Sequence, residues 1–109
     1  MRVEFVETPI FTEEIESLLP PESFRGLQLA LLLRPDAGDL IRGSGGLRKL
    51  RWELPGKGKR GGLRVIYYWD GRDFIFLLLP YRKNRQEDLT PRQVQQLRAV
   101  VKEWIYEKK

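Results

Sequence analysis

The sequence of 109 residues contains no cysteine and no histidine. Without cysteine there is no disulfide framework, no thiol nucleophile and no cysteine-ligated zinc. Without histidine the commonest general base and the commonest metal ligand are both missing. Any acid–base chemistry therefore falls to Lys, Tyr, Asp or Glu, with Arg as an electrostatic stabiliser. Long apolar runs are missing too, since none approaches the ~20 residues that a membrane-spanning helix needs. The opening residues alternate Val3 and Phe5 against Glu4 and Val6, as a strand does, and carry no signal-peptide apolar region. A cytoplasmic protein is expected, with no membrane partner, no metal and no cofactor.

What the chain has in quantity is positive charge, unevenly spread. Lys and Arg number 20 against 15 Asp and Glu, for a net charge of +5. Residues 1–40 hold eight acids and three bases, residues 41–85 three acids and twelve bases, and residues 86–109 four acids and five bases. Between Arg42 and Arg64 there are eight bases and one acid, Glu53. A concentrated basic stretch on a near-neutral body is the electrostatic footprint of a surface that binds phosphate. The size fits one domain with a small but real core, and the 41% hydrophobic and 32% charged balance is that of a globular chain.

Periodicity gives the elements. A strand is read near the N-terminus. Thr12 then precedes Ile15, Leu18 and Leu19, spaced for a short amphipathic helix that Pro20 and Pro21 end. Pro21 and Glu22 suit the first turn of a second helix, which carries Phe24, Leu27 and Leu31 and stops at Arg34 because Pro35 disfavours helical geometry before it. Leu40 and Ile41 begin a strand. Gly43, Gly45 and Gly46 mark a tight approach. Residues 47–52 alternate, with Leu47, Lys49 and Arg51 on one face and Arg48, Leu50 and Trp52 on the other. Trp52 is read as core. Residues 56–62 form a glycine-rich loop with Lys57, Lys59 and Arg60. Gly56, Gly58 and Gly61 match a dinucleotide fingerprint in form only, because a strand and not a helix follows.

Residues 63–69 and 74–81 are the strongest strands, joined by a hairpin at Asp70-Gly71. A two-residue loop sets Ile66 opposite Ile75 and Arg64 opposite Leu77, and a three-residue loop breaks that register. On the first reading Arg64, Ile66, Tyr68, Ile75, Leu77, Leu79 and Tyr81 share one face. Leu63, Val65, Tyr67, Trp69, Phe74, Phe76 and Leu78 share the other, which is assigned to the helices and the core. Thr90, Pro91 and Gln93 open a last helix as N-cap, N1 and N3 of a capping box, and Val94, Leu97, Val101, Trp104 and Ile105 make its apolar stripe. The result is an α+β domain with helices packed on one sheet.

Three ordered motifs then carry a resemblance over essentially the whole chain. They are Pro35-x-x-Gly38-x-x-Ile41-x-Gly43-x-Gly45-Gly46-Leu47-Arg48-Lys49-x-Arg51, Gly56-Lys57-Gly58-Lys59-Arg60-Gly61-Gly62-x-Arg64-Val65-Ile66-Tyr67-Tyr68, and Tyr81-x-Lys83-Asn84 followed by Asp88-Leu89-Thr90 and Gln93. The chain resembles the HigB-type toxins of the RelE/ParE superfamily. The resemblance implies a central antiparallel sheet packed with two N-terminal helices and one C-terminal helix. It implies the toxin of a type II toxin–antitoxin pair that cuts mRNA in the A site of the 70S ribosome. It also implies a helix-turn-helix antitoxin of the HigA type as neutralising partner, and a free toxin that is monomeric. Departures are the missing histidine, Arg85 where an acid is usual, and Pro80 where a branched residue is.

Carried over residue by residue, the resemblance places catalytic roles on Arg64, Lys83, Lys49 and Tyr81. RNA or ribosome contacts fall to Arg48, Arg51, Lys57, Lys59, Arg60, Arg82 and Arg85. The expected chemistry is metal-independent attack of a 2′-hydroxyl on its neighbouring phosphate. Arg64 then stabilises the transition state, Lys49 or Lys83 accepts the proton, and Tyr81 stacks on a base or donates a proton. Two other readings stand beside it: a ParE-type gyrase inhibitor without nuclease activity, and a degenerate module that binds RNA or the ribosome without cutting.

Overall fold

Thr8 starts the first helix, four residues before the Thr12 of the sequence reading. Its hydroxyl accepts a hydrogen bond from the Phe11 N–H at 3.0 Å and donates to the Leu78 carbonyl at 2.8 Å. One side chain thus caps a helix and ties its start to the sheet. In this computed structural model, which describes residues 3–54 and 62–108, the order is β1 (Glu4–Glu7), α1 (Pro9–Leu18), α2 (Pro21–Leu33), β2 (Asp39–Leu40), β3 (Leu47–Trp52), β4 (Leu63–Trp69), β5 (Phe74–Arg82) and α3 (Pro91–Lys108). The α+β class and the element order agree with the sequence reading. The basic residues Lys57, Lys59 and Arg60 lie outside the described residues.

The sheet has five strands in the order β1-β5-β4-β3-β2. β2 to β5 are antiparallel neighbours, whereas β1 runs parallel to β5 at the edge. The sheet is therefore mixed, not purely antiparallel. A parallel neighbour reached through intervening helices leaves no local turn signature in sequence.

The β4–β5 hairpin differs from the two-residue reading. Asp70 N–H bonds the Phe74 carbonyl, and the Asp70 carboxylate accepts from the N–H groups of Arg72 and Phe74, so residues 71–73 form a three-residue loop. Gly71 supplies the positive φ of 82° that this turn requires. The register next to the loop is Trp69 opposite Ile75 and Tyr67 opposite Leu77. A bulge then skips Leu78, and Ile66 faces Leu79 and Arg64 faces Tyr81.

Both faces of the sheet are covered. Phe11, Ile15, Leu19, Leu27 and Leu31 from the α1–α2 region pack on Leu50, Leu63, Val65, Tyr67, Ile75 and Leu77. On the other face Val101, with Leu97, Trp104 and Ile105 of α3, packs on Leu47, Ile66, Phe76, Leu78 and Tyr81. Trp104 seats edge-on against Phe74 and tilted on Phe76, at centroid distances of 5.4 and 4.9 Å. This corrects the single helical layer of the sequence reading. It also corrects the faces of Ile75 and Leu77, which lie towards α1 and α2, and of Phe74, Phe76 and Leu78, which lie towards α3. Trp52 packs against the α1–α2 core as read. The capping box forms as read, with Gln93 N–H on Thr90 Oγ1 at 3.1 Å and Thr90 N–H on Gln93 Oε1 at 2.9 Å.

Candidate phosphate-binding face

Strand pairing gathers the basic residues. Lys49 and Arg51 alternate with the inward Leu50 on β3, so they share the α3 side of the sheet. Their cross-strand partners on β4 are Ile66 and Arg64, and Arg64 is in turn paired with Tyr81 on β5. Directly opposed residues share a face, so Lys49, Arg51, Arg64 and Tyr81 form one patch across three strands. Arg51 is exposed, and Arg64 and Tyr81 are each only 9% exposed. The Arg64 Nη1 donates to the Leu63 carbonyl at 3.4 Å.

An acid closes this patch. Lys49 Nζ donates to Asp88 Oδ1 at 2.6 Å. That hydrogen bond, the Lys49 charge, and more weakly the charges of Arg51 and Arg64 hold the Asp88 carboxyl below its ordinary range. The Tyr81 hydroxyl is pushed above its ordinary value chiefly by burial, then by Asp88, with Arg64 opposing. It donates to the Glu87 carbonyl at 3.4 Å and stays a proton donor at neutral pH. Asp88 was absent from the site read in sequence. It lies 39 positions from Lys49, and its one sequence signal was its place in the Asp88-Leu89-Thr90 motif. Beside the pair runs a cleft of about 280 Å³ lined by Asp39, Leu40, Ile41, Arg42, Lys49, Asp88 and Leu89.

Other candidates go elsewhere. Arg48 points to the opposite face and donates to the carbonyls of Gly38 at 2.8 Å and Asp36 at 3.2 Å. It pins the α2–β2 connection together with Tyr67, whose hydroxyl donates to the Pro35 carbonyl and accepts from the Gly38 N–H. Burial pushes that hydroxyl above its ordinary value, partly offset by the Gly38 hydrogen bond. Arg82 and Arg85 line a separate cleft with Glu14, Ser17 and Leu18 of the α1 region, beside Pro80 and Tyr81. Lys83 follows β5 directly, and its N–H bonds the Gly62 carbonyl at 3.0 Å, one ladder step beyond the pairing of Leu63 with Arg82. Among the described residues no group of His, Cys, Asp and Glu is placed to hold a metal ion. No helix of the described residues is long and apolar enough to cross a membrane.

The turn between β2 and β3 sets where β3 begins. Ser44 is buried, its hydroxyl donates to the Ile41 carbonyl at 2.5 Å and accepts from the Leu47 N–H at 3.0 Å. Gly46, at φ 108°, lies where a Cβ would come 3.0 Å from the Tyr68 ring. A short, side-chain-poor turn therefore delivers Leu47 to the core and Lys49 and Arg51 to the patch. Residues 38–109, which contain this whole patch, match a family described as the RelE toxin of the RelE / RelB toxin-antitoxin system.

Proposed function

Starting from the premise that this chain belongs to the RelE toxin family of the RelE/RelB toxin–antitoxin system, we propose that it is a ribosome-dependent mRNA endonuclease of the HigB branch. The observation that carries this reading is the juxtaposition of Lys49, Arg51 and Arg64 with Tyr81 on one face. The reaction is attack of an RNA 2′-oxygen on the adjacent phosphorus, with the bond to the 5′-oxygen breaking. It leaves a 2′,3′-cyclic phosphate and a 5′-hydroxyl, and needs neither a protein nucleophile nor a metal.

Arg51, exposed on β3, meets the incoming phosphate first. Arg64, shielded and fixed on the central strand, supplies a preorganised charge where the phosphorane-like transition state gains negative charge. Lys49 already holds an anion, Asp88, and is assigned to phosphate binding. Lys83 is assigned to accept the 2′ proton, a step that its neutral amine and not its ammonium performs. Tyr81, kept protonated by burial, is assigned to protonate the leaving 5′-oxygen. The partners of this reading are the mRNA-programmed 70S ribosome and a HigA-type antitoxin.

Primer extension on a defined mRNA, with and without programmed 70S ribosomes, tests it. Cuts at A-site codons only in the presence of ribosomes are expected. Ribosome binding that is tight and salt-sensitive but without cuts would leave a grip without chemistry. Neither cuts nor binding would overturn the reading in favour of a protein target such as gyrase.

A further inference from the structure

We infer that Asp88 is a resident anion of the phosphate-binding face: its carboxylate occupies the place on Lys49 that an RNA phosphate takes, and RNA binds by displacing it. The inference rests on the proposed RNA-binding role of that face.

Three observations carry it. First, the contact is direct, at 2.6 Å, and the two partners are unequally held. The Lys49 side chain is 18% exposed and the Asp88 side chain 74% exposed, so the cation belongs to the fold and the anion can leave. Second, Arg51 and Arg64 act on the same carboxylate, so the charges that would draw a phosphate draw Asp88 to the same place. Arg51 and Arg64 are also directly paired across β3 and β4, where opposed like charges are unfavourable. A negative group at this spot relieves the crowding of cations while no RNA is bound.

Third, the backbone beneath Asp88 is fixed. Gln86 Nε2 donates to the Asp88 carbonyl at 2.8 Å and to Gln93 Oε1, which also accepts from the Thr90 N–H. The Tyr81 hydroxyl holds the neighbouring Glu87 carbonyl. Release therefore asks only for rotation of one side chain, with no rearrangement of the loop or of α3. Breaking an exposed ion pair of this kind costs little, so an incoming phosphodiester that also reaches Arg51 outcompetes it. Asp88 thereby sets a threshold: an anion that engages Lys49 alone gains little over the resident carboxylate, and one that engages several cations gains much.

The experiment compares the wild-type protein with Asp88→Asn and Asp88→Glu. Inorganic phosphate binding is followed by NMR, and binding of a short single-stranded RNA is followed over a salt series. Folding of each variant is checked by its melting curve. Asp88→Asn is expected to bind both probes about three- to tenfold more tightly, because no ion pair is broken and no carboxylate repels the phosphate. Its salt dependence on RNA should be steeper by up to about 0.7 in log–log slope. Asp88→Glu, which keeps the anion, should stay near wild type. Phosphate binding by Asp88→Asn that is equal to or weaker than wild type overturns the inference. If Asp88→Asn tightens phosphate binding but no form of the protein cuts ribosome-bound mRNA, the resident anion stands and the endonuclease reading falls. If the wild type cuts and Asp88→Asn holds phosphate no more tightly, the reverse holds.

Discussion

Arg48 and Arg51 are three residues apart on one strand, and opposite outcomes are expected on replacing each with glutamine. Arg51 is exposed on the side that carries Lys49 and Arg64, and Arg48 is bonded to the Gly38 and Asp36 carbonyls on the other side. Single-stranded nucleic acid contributes about 0.7 to the log–log salt slope for each phosphate neutralised. With Lys49 already neutralised by Asp88, Arg51 and Arg64 then supply a slope of about 1.4, equal to about a sevenfold loss of affinity between 50 and 200 mM salt. Arg51→Gln should lower the slope by about 0.7 and reduce that loss to about two- to threefold, with stability within about 0.5 kcal/mol of wild type. Arg48→Gln should leave the slope unchanged and cost about 1–2 kcal/mol, since it removes the hydrogen bonds of a charged group to two backbone carbonyls. The assay is fluorescence anisotropy with a short labelled RNA over a salt series, paired with urea unfolding. A slope lowered equally by both changes, or by Arg48→Gln alone, would refute the assignment of faces.

Tyr67→Phe leaves the Gly38 N–H and the Pro35 carbonyl without their shared hydroxyl and should cost about 2–3 kcal/mol, read as a fall in melting temperature on the order of 10 °C. Tyr67 and Tyr81 both hold their protons more tightly in the folded chain than at the ordinary value of 10.0, so above that pH the folded state binds more protons than the unfolded one. Stability should therefore fall as pH rises past about 10, and the double change to phenylalanine should flatten that fall in urea midpoints. Asp88 has the opposite sign: its contribution is present above its ordinary 3.8 and lost as pH drops through its lower folded value, and Asp88→Asn should remove that part of the acid sensitivity. Tyr81→Phe should slow ribosome-dependent cleavage by about 10²-fold or more while leaving RNA affinity within a factor of a few, as judged by single-turnover primer extension.

The elements were legible where local chemistry dictates them. Pro35 ends α2 at Leu33 with Arg34 as its C-cap, and Thr90, Pro91 and Gln93 open α3, because caps and prolines act over one turn. The pairing of Lys49 with Arg51 was legible because alternation along one strand needs no partner. The hairpin register was not, since Asp70 closes the turn with its side chain and the loop gains a residue. The bulge at Leu78 was not read either, although Pro80, two residues further along the same strand, is the kind of residue that accompanies one. The hairpin slips the register by three residues and the bulge by one more, four in all, so the pairing stays displaced beyond the bulge while the alternation of faces returns. Tyr81 therefore shares the Arg64 face as first read, while Ile75 and Leu77, lying between loop and bulge, do not. The Lys49–Asp88 contact joins residues 39 positions apart, and only the assembled sheet could bring them together.

Because helices cover both faces of the sheet, the described residues leave no broad strand surface on which RNA could lie. The described patch crosses three neighbouring strands, a width of about 10 Å. Folds that hold single-stranded nucleic acid on their own cover about 4–16 nucleotides. A footprint this narrow spans only a few backbone links, too few to keep a flexible strand in register. On the reading proposed above, the rest of the message must be held by another body, and the toxin acts as a small blade whose vice is the ribosome.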